Sequence, residues 1–344
     1  MCSSDLIQPH PADTWPLARR LLWEQIQIPG LIREWKANAY LSFGSFGLLH
    51  CPCPQVMICA QPLYFSDRYY REYARLRPAL RLEELGRRAL LKASARRADR
   101  ILTQTEAMRS QIVAQLGVPT SRISVIPHGV HESFFQDDGR PTGHATPLAA
   151  TPFPNKTDGV VASKRRVLYV SIHQVHKDFD TLVRAAAIVR AHGRGDVEFT
   201  FTGAPDDTEF SRATASLVRE LGLEETVHFV GLVPNDQIHD LYASADIFAF
   251  PSWAETFGIP LVEAMNCDVP VITSNVTSLP EIAGDAALLV NPNDVDSIAE
   301  AMQMVTTDKE LRDSMIERGR EQRKQFSWEK SAELLWKAME KAVS

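Results

Sequence analysis

The sequence contains no apolar run that approaches the roughly 18–20 residues a helix needs to cross a bilayer. It also lacks an excess of positive charge, because 43 Asp and Glu residues outnumber 37 Lys and Arg residues and leave a formal net charge of −6. That balance argues against nucleic acid as the main partner. The cysteines are few and odd in number, which predicts reduced, buried thiols in a cytoplasmic protein: Cys2, Cys51, Cys53, Cys59 and Cys267.

Two common phosphate-binding motifs are missing as well. No G-x-G-x-x-G follows a strand-like run and no Walker A motif is present, so the dinucleotide-binding and P-loop interpretations are excluded. Cys51 and Cys53 lie near Cys59, but the second CxxC or neighbouring His pair that zinc spacing requires is absent. We therefore expect neither a metal site nor a bound cofactor.

The 344 residues, 44% of them hydrophobic, are enough for two domains of ordinary size. In the first part of the chain, weak strand-like runs alternate with helical patterns. The strand-like runs are Tyr40–Phe43, Gln55–Ala60, Arg100–Gln104 and Ile123–Pro127, and the helical patterns cover about Trp15–Trp35, Ala79–Arg97 and Glu106–Leu116. We assign residues 7–137 to a partial first domain, and residues 138–163, rich in Pro, Gly, Thr and Ala, to a linker.

From residue 164 onward, short strands alternate regularly with helical segments. Because these strands are apolar along their whole length, the βαβα order predicts a parallel sheet covered by helices on both faces. The predicted strands are Arg166–Ser171, Val197–Thr202, Val227–Val230, Asp246–Phe250, Val269–Thr273 and Ala286–Val290. We assign residues 164–325 to a second domain and residues 326–344 to a final helix that packs back toward the first domain.

Ligands of such a sheet bind at the carboxyl ends of its strands. The candidate residues directly after strands are His173–Lys177, Gly203, Gly231 and Ser252–Gly258. Lys177 also precedes a helix that begins near Asp178, and a lysine beside the free N–H groups of a helix N-terminus is suited to bind a diphosphate. The purely structural interpretation of Asp178 is an N-cap of that helix.

Two carboxylates, Glu255 and Glu263, lie in PSWAETFGIPLVEA and are separated by seven residues. Pro260 fits the first turn of a helix, so Glu255 belongs to the preceding loop and Glu263 lies about one turn into the helix. On a single helix the two would be roughly 12 Å apart, whereas glycosidase carboxylates are about 5–9.5 Å apart. Two interpretations remain. The two carboxylates bind the hydroxyls of a sugar nucleotide, or they are charges that the dipole at a helix N-terminus favours.

A longer segment, FVGLVPNDQIHDLYASADIFAFPSWAETFGIPLVEAMNCDVPVITSNVTSLPEIAGDAALLVNPND, carries a more specific signal. It resembles the donor-binding half of the family 4, or group 1, retaining glycosyltransferases of bacterial polysaccharide assembly. The similarity runs from about Tyr40 to the C-terminus and includes ADRILTQTEAMRSQIVAQLGVPTSRISVIPHGV and the Lys177 loop. The resemblance implies an α/β protein with the GT-B fold, in which two Rossmann-like parallel-sheet domains face a cleft.

The resemblance also implies a reaction and its residues. A sugar would pass from a nucleotide-diphosphate donor, with a GDP-mannose-like donor as our guess, to a glycan or lipid-linked acceptor. Glu255 would lie against the transferred sugar as the catalytic residue, Glu263 would bind the ribose hydroxyls, and Lys177 would hold the diphosphate. The other donor-binding positions are Gly203, Thr256, Phe257, Gly258, Ile259 and Leu261. Catalysis would be stabilisation of the departing nucleoside diphosphate without a required metal.

The chain departs from the family pattern at three places. The Arg usual early in the diphosphate loop is replaced by Ile172 or His173. Asp268 stands where Gly usually ends the E-x7-E helix, and Asp tolerates the left-handed conformation better than most residues. After QVMICA the usual His-Asp is replaced by Ala60-Gln61-Pro62, so no catalytic group is assigned there.

The start of the chain departs further. Only about 35 residues precede AYLSFG, roughly one β/α unit. MCSSDL, residues 1–6, matches the translation of a sequencing-adapter tail, and we expect the first domain to be incomplete and the natural protein to extend upstream. The alternative function is then a fragment that binds nucleotide but is catalytically impaired.

Positive charge is concentrated between Arg68 and Arg109, where twelve Lys and Arg residues accompany five Asp and Glu. Much of it lies on the predicted amphipathic helix Ala79–Arg97, whose apolar positions are Leu80, Leu82, Leu85, Leu90 and Leu91. One interpretation is a solvated cationic helix face. The other is a surface that contacts anionic lipid headgroups or a lipid-phosphate substrate, with the protein peripheral on the inner face of the membrane.

Overall fold

The computed structural model describes residues 17–76, 81–130, 164–194, 196–206 and 208–343. Two parallel β-sheets, each with its own helices, make up this part of the chain. The first domain contains the sheet built from residues 40–125, and the second contains the sheet built from residues 165–290. The predicted linker at 138–163 lies outside the described residues.

The sheet of the first domain has four parallel strands in the order β1-β2-β3-β4. The strands are β1 (Tyr40–Ser42), β2 (Gln55–Ile58), β3 (Arg100–Thr103) and β4 (Ile123–Val125). The helices are α1 (Leu17–Glu34), α2 (Asp67–Leu76), α3 (Arg81–Arg97) and α4 (Glu106–Leu116). Helix α2 was not predicted from the sequence, because the polar residues of DRYYREYARL outweigh its tyrosines on average and Leu76 is its one large aliphatic residue.

The sheet of the second domain has six parallel strands in the order β10-β9-β8-β5-β6-β7. These are β5 (Arg165–Tyr169), β6 (Val197–Phe201), β7 (Val227–Phe229), β8 (Ile247–Phe250), β9 (Val271–Ser274) and β10 (Ala287–Val290). Its helices are α5 (Phe179–Ala191), α6 (Glu209–Glu220), α7 (Asn235–Ser244), α8 (Ile259–Asn266), α9 (Leu279–Ala283), α10 (Val295–Thr307) and α11 (Lys309–Gln322). All ten strands lie within two residues of their predicted bounds.

The strand order reverses between β5 and β8, which are neighbours in the sheet although β6 and β7 separate them in the chain. The loops that leave the carboxyl ends of two such strands diverge and form a crevice. Both strands are deeply buried, with Tyr169, Phe248 and Phe250 fully enclosed. Burial of a large apolar side chain contributes on the order of 1.5–3 kcal/mol to stability, so the floor of the crevice is well anchored in the core.

The C-terminal helix, α12 (Trp328–Val343), packs against β2 and β3 of the first domain. Val56, Leu102 and Ala338 form the buried centre of this contact. The Ser331 hydroxyl donates a hydrogen bond to the Pro127 carbonyl over 2.5 Å. The chain therefore returns to the first domain after completing the second.

Helix α3 corrects one prediction about the basic region. Leu91 is buried, but Leu82 is 80% exposed and Leu85 is 49% exposed, so these leucines do not form one apolar face. At about 100° per residue, Leu82 lies half a turn away from Leu91 and points to the opposite side of the helix. Leu80 lies outside the described residues. Among the helices that the structure describes, none combines the length and apolarity needed to span a membrane.

Candidate functional site

The loops after β5 and β8 meet at the crevice and are tied together through backbone groups. After β5 the chain forms a short 3₁₀ turn, Val175–Lys177, before α5. The His176 carbonyl accepts hydrogen bonds from the Trp253 N–H and the Ser252 hydroxyl, both over 3.0 Å. The Trp253 indole N–H donates to the Val175 carbonyl over 3.1 Å. These bonds fix the two loops relative to each other.

This arrangement brings Lys177 and Glu255 into contact. The Lys177 Nζ lies 2.5 Å from Glu255 Oε1, and the side chains are only 13% and 11% exposed. The same ammonium lies 4.9 Å from the centre of the Phe250 ring. The Tyr169 hydroxyl donates to the Lys177 carbonyl, and the Thr277 hydroxyl oxygen accepts from the Glu255 N–H over 3.2 Å. Lys177 and Glu255, predicted from separate loops, thus form a nearly buried ion pair.

Glu263 lies on α8 and has its own partner. The Tyr242 hydroxyl, from α7, donates to Glu263 Oε2 over 2.8 Å. Burial raises the pKa of Tyr242 well above its usual range, and the nearby Glu263 carboxylate raises that pKa further. The phenol therefore stays protonated and orients the carboxylate as a hydrogen-bond donor. Tyr242 was missed from the sequence, since no local pattern marks it.

Two predicted site residues are glycines that the backbone requires. Gly258 has φ +95° and stands at the N-cap of α8, where a Cβ would lie 2.6 Å from a Leu279 methyl. Gly203 has φ +85°, and a Cβ there would lie 2.8 Å from His173 Nδ1. Any L-residue with a side chain would be strained at both positions. These glycines shape the loops after β6 and β8.

The far end of α8 also uses a left-handed residue. Asp268 has φ +56°, as expected of a residue that replaces a helix-ending glycine. Its carboxylate pairs with the Arg320 guanidinium through contacts of 2.9 and 2.6 Å. The departure at Asp268 is therefore accommodated by the fold.

The remaining predicted donor positions present little side chain to the crevice. Leu261 is completely buried, and its N–H donates to the Gly258 carbonyl over 2.9 Å. Phe257 is buried with its ring 5.3 Å from the His128 ring. Ile259 packs against the core, and the Thr256 carbonyl accepts a hydrogen bond from the Thr105 hydroxyl. Any donor contact from Phe257, Ile259 or Leu261 would have to use mainly backbone groups.

A cavity of about 610 Å³ extends from the β5 loop toward the loops after β6 and β7. Its size is in the range of small-molecule sites. Its lining mixes apolar and polar side chains: Ile172, His173, Gln174, Gly203, Phe210, Arg212 and Leu232 among them. His173 stacks on Phe179 with 3.7 Å between ring centres. The residues that replace the family's usual arginine thus line this cavity.

The first domain reaches the same loops through Arg68 on α2. Its guanidinium donates to Asn293 Oδ1 over 2.5 Å, lies 3.3 Å from Asp178 Oδ2, and covers the Trp253 ring at 4.6 Å. Burial raises the pKa of the Asp178 carboxyl. Asp178 stands at the predicted N-cap position of α5, and its carboxylate accepts from the Thr181 hydroxyl over 2.8 Å. Hydrogen bonds from the Thr181 side chain and backbone partly offset the rise in the Asp178 pKa.

Four of the five cysteines fall within the described residues, three in the first domain and Cys267 at the end of α8, while Cys2 lies outside them. Cys59 is fully buried, which raises its pKa to about 12, and the Cys51 and Cys53 sulfurs are 3.9 Å apart. Within the described ranges, no group of three His, Cys, Asp or Glu side chains is arranged to hold a metal ion. The expectation of a reaction without metal or cofactor stays a prediction.

Comparison with known proteins assigns the family. Residues 156–322 match the family model described as glycosyl transferases group 1, and residues 5–134 match that of glycosyltransferase family 4. The O-antigen chain mannosyltransferase B of Escherichia coli is 32% identical over 232 residues, which are 67% of this chain and 57% of that protein. The chain spans a little over half the length of the curated relatives it matches.

Solved structures show the fold. Sucrose-phosphate synthase from Thermosynechococcus elongatus superposes with a TM-score of 0.75 at 20% identity, over 97% of this chain and 82% of that one. Anabaena Alr3699/HepE, solved in complex with UDP and glucose, superposes with a TM-score of 0.61 at 19% identity, over 84% and 71% of the two chains. The two parallel-sheet domains have the GT-B arrangement, and the chain belongs to the group 1, family 4 glycosyltransferases.

Proposed function

We propose that the protein is a retaining glycosyltransferase that moves a sugar from a nucleotide-diphosphate donor to a glycan or lipid-linked acceptor in polysaccharide biosynthesis. The observation that supports this most directly is the Lys177–Glu255 pair at the junction of β5 and β8. A nearly buried lysine beside a helix N-terminus supplies positive charge where a departing diphosphate gains negative charge. Glu255 lies beside that charge, where a transferred sugar would sit.

In the proposed donor complex, each residue has one role. Lys177 and the amides of Phe257 and Gly258 hold the diphosphate, and Glu263, oriented by Tyr242, accepts hydrogen bonds from the ribose hydroxyls. The acceptor hydroxyl oxygen bonds to the anomeric carbon on the face from which the phosphate oxygen leaves, so the configuration is retained. The hydroxyl proton passes to that departing phosphate oxygen. The bond that breaks leaves its electron pair on the diphosphate, which Lys177 and the α8 dipole stabilise.

We propose that this chemistry needs no divalent cation, because Lys177 and the N-terminus of α8 already supply charge at the leaving group. Transfer assayed after EDTA treatment should then remain within about twofold of the untreated rate. A loss that added Mg²⁺ or Mn²⁺ restores would contradict this part of the proposal.

We propose a GDP-mannose-like donor, which the mannosyltransferase named among the relatives supports. A ligand that binds only the folded state raises apparent stability, so thermal shifts with GDP, UDP and ADP would rank the bases. Sugar release and transfer are then measured with the matching nucleotide sugar. Binding without transfer would instead favour the catalytically impaired fragment, and absence of binding to any nucleotide would contradict the proposed function.

We also propose a peripheral contact with anionic membranes through the first domain. Leu22 and Ile26 on α1 and Leu82 and Leu85 on α3 are exposed apolar side chains. Lys92, Arg96 and Arg97 are exposed cations on α3. Apolar side chains flanked by basic ones bind anionic bilayers through combined burial and electrostatic attraction.

The protein should sediment more with phosphatidylglycerol vesicles than with phosphatidylcholine vesicles. The double substitution Leu82→Ser and Leu85→Ser should weaken this binding. Equal binding to both lipids would contradict the contact.

A further inference from the structure

Thr105 is a first-domain residue whose hydroxyl hydrogen-bonds to the Glu255 loop. It lies just after β3 and is the N-cap of α4, where its hydroxyl oxygen accepts from the Met108 N–H over 3.3 Å. The same oxygen lies 3.0 Å from the Thr256 carbonyl and 2.8 Å from the Ser278 hydroxyl, both in the second domain. Thr105 and Ser278 are completely buried, so water does not compete for these bonds.

The hydroxyl hydrogens can be counted. Thr105 and Ser278 carry one hydroxyl hydrogen each, and three contacts need one: Thr105 to Thr256, Thr105 to Ser278, and Ser278 to the Glu255 carbonyl at 3.0 Å. Under every assignment that uses both hydrogens, at least one of the two carbonyls, Glu255 or Thr256, receives a hydrogen bond. Removal of the Thr105 hydroxyl leaves the Ser278 hydroxyl as the donor to these carbonyls.

The loop is held at successive backbone groups. Thr277 accepts from the Glu255 N–H, Ser278 donates to the Glu255 carbonyl, and Thr105 donates to the Thr256 carbonyl. Thr277 and Ser278 follow β9 in the same domain as Glu255, whereas Thr105 comes from the other domain. The position of the Glu255 loop therefore depends on how the first domain is seated.

That seating is fixed by a second contact beside Thr105. The carboxylate of Glu281, on α9, accepts from the Glu106 N–H over 2.8 Å and from the Ala107 N–H over 2.9 Å. These amides form the first turn of α4, where a carboxylate is favoured by the helix dipole. The helix that carries Thr105 is thus docked on the second domain by its own N-terminus.

We propose that Thr105 is a positioning residue for sugar transfer: through Thr256 and Ser278 it sets the place of the Glu255 carboxylate opposite Lys177. This inference rests on the proposed donor site. A misplacement of a reacting group by about 1 Å can cost roughly a hundredfold in rate. Docking of the two domains and correct placement of Glu255 are then one event.

The test compares Thr105→Val, which keeps shape and removes the hydroxyl, with Thr105→Ser, which keeps the hydroxyl. Amide hydrogen exchange over residues 254–258 should be faster in Thr105→Val and close to wild type in Thr105→Ser. In the transfer assay, kcat should fall roughly ten- to hundredfold in Thr105→Val, with the donor KM within about threefold. Rescue by serine separates positioning from a packing defect, which serine would worsen.

Asp308→Ala serves as the matched control, because Asp308 is the N-cap of α11 and accepts from the Leu311 N–H over 2.9 Å. It removes a helix cap away from the crevice and should leave both measurements unchanged. If Thr105→Val does not fold, Ser278→Ala breaks the same network and should accelerate the same exchange. Unchanged exchange over 254–258 would overturn the role of Thr105, while absence of transfer by the wild-type chain would contradict only the proposed function.

Discussion

The ammonium of Lys177 lies 2.5 Å from the carboxylate of Glu255, although their positions in the chain are 78 apart. The pair exists because β5 and β8 are neighbours in the sheet and their loops share the His176 carbonyl. A buried lysine paired in this way is preorganised, because its ammonium can also interact with an incoming diphosphate without a large rearrangement.

Lys177→Met should weaken binding of a nucleoside diphosphate and lower sugar transfer by roughly a hundred- to a thousandfold, because the positive charge at the leaving group is lost. Isothermal titration and a transfer assay would measure the two effects. Lys309→Met is the matched control, since Lys309 forms an exposed surface pair with Asp313. Undiminished diphosphate affinity in Lys177→Met would show that the lysine does not hold the phosphates.

The sequence was informative where the signals are local. Pro260 marked the start of α8, so Glu255 was correctly placed on a loop and Glu263 on a helix. Tyr242 and Thr105 could not be recognised, because each reaches its partner across helices or domains and no spacing records such a contact. Leu82 was misjudged for a related reason: apolar residues were counted on α3 without a check of their angular positions around it.

Tyr242→Phe should weaken nucleoside diphosphate binding about three- to tenfold, because Glu263 loses the hydrogen bond that orients it. Hydrogen bonds to charged groups contribute about 1.5–3 kcal/mol, and we expect part of that loss to appear in the free energy of nucleotide binding. In a Glu263→Gln background the same substitution should have a clearly smaller effect. Additive losses in this double-mutant cycle, measured by titration, would show that the two residues act independently.

Gly258→Ala should destabilise the protein strongly. The left-handed backbone costs a side chain about 1–2 kcal/mol, and the overlap with Leu279 adds about 1–3 kcal/mol. Gly222→Ala is the control, because Gly222 has φ +63° but no atom within 4 Å of an added Cβ. Urea unfolding should show a markedly larger loss for Gly258→Ala; equal losses would mean that Leu279 moves aside.

His176 should make the protein sensitive to mild acid. Burial, and next the charge of Lys177, lower the pKa of His176 to about 3 in the folded protein, whereas an unfolded histidine titrates near pH 6.5. As pH falls from about 6.5 toward 3, His176 binds a proton in the unfolded state but stays neutral in the folded state. The free energy of unfolding then falls by up to about 1.4 kcal/mol per pH unit, and this contribution is fully present only above pH 6.5.

His176→Gln removes this titration, so its unfolding free energy should fall less steeply between pH 6.5 and pH 4.5 than that of the wild-type protein. Asp178 titrates with the opposite sign, since its raised pKa favours the folded state as pH falls, but it is common to both proteins. Urea unfolding at several pH values gives the difference between the two curves. Parallel curves would show that the His176 imidazole takes up its proton as readily in the folded protein as in the unfolded chain.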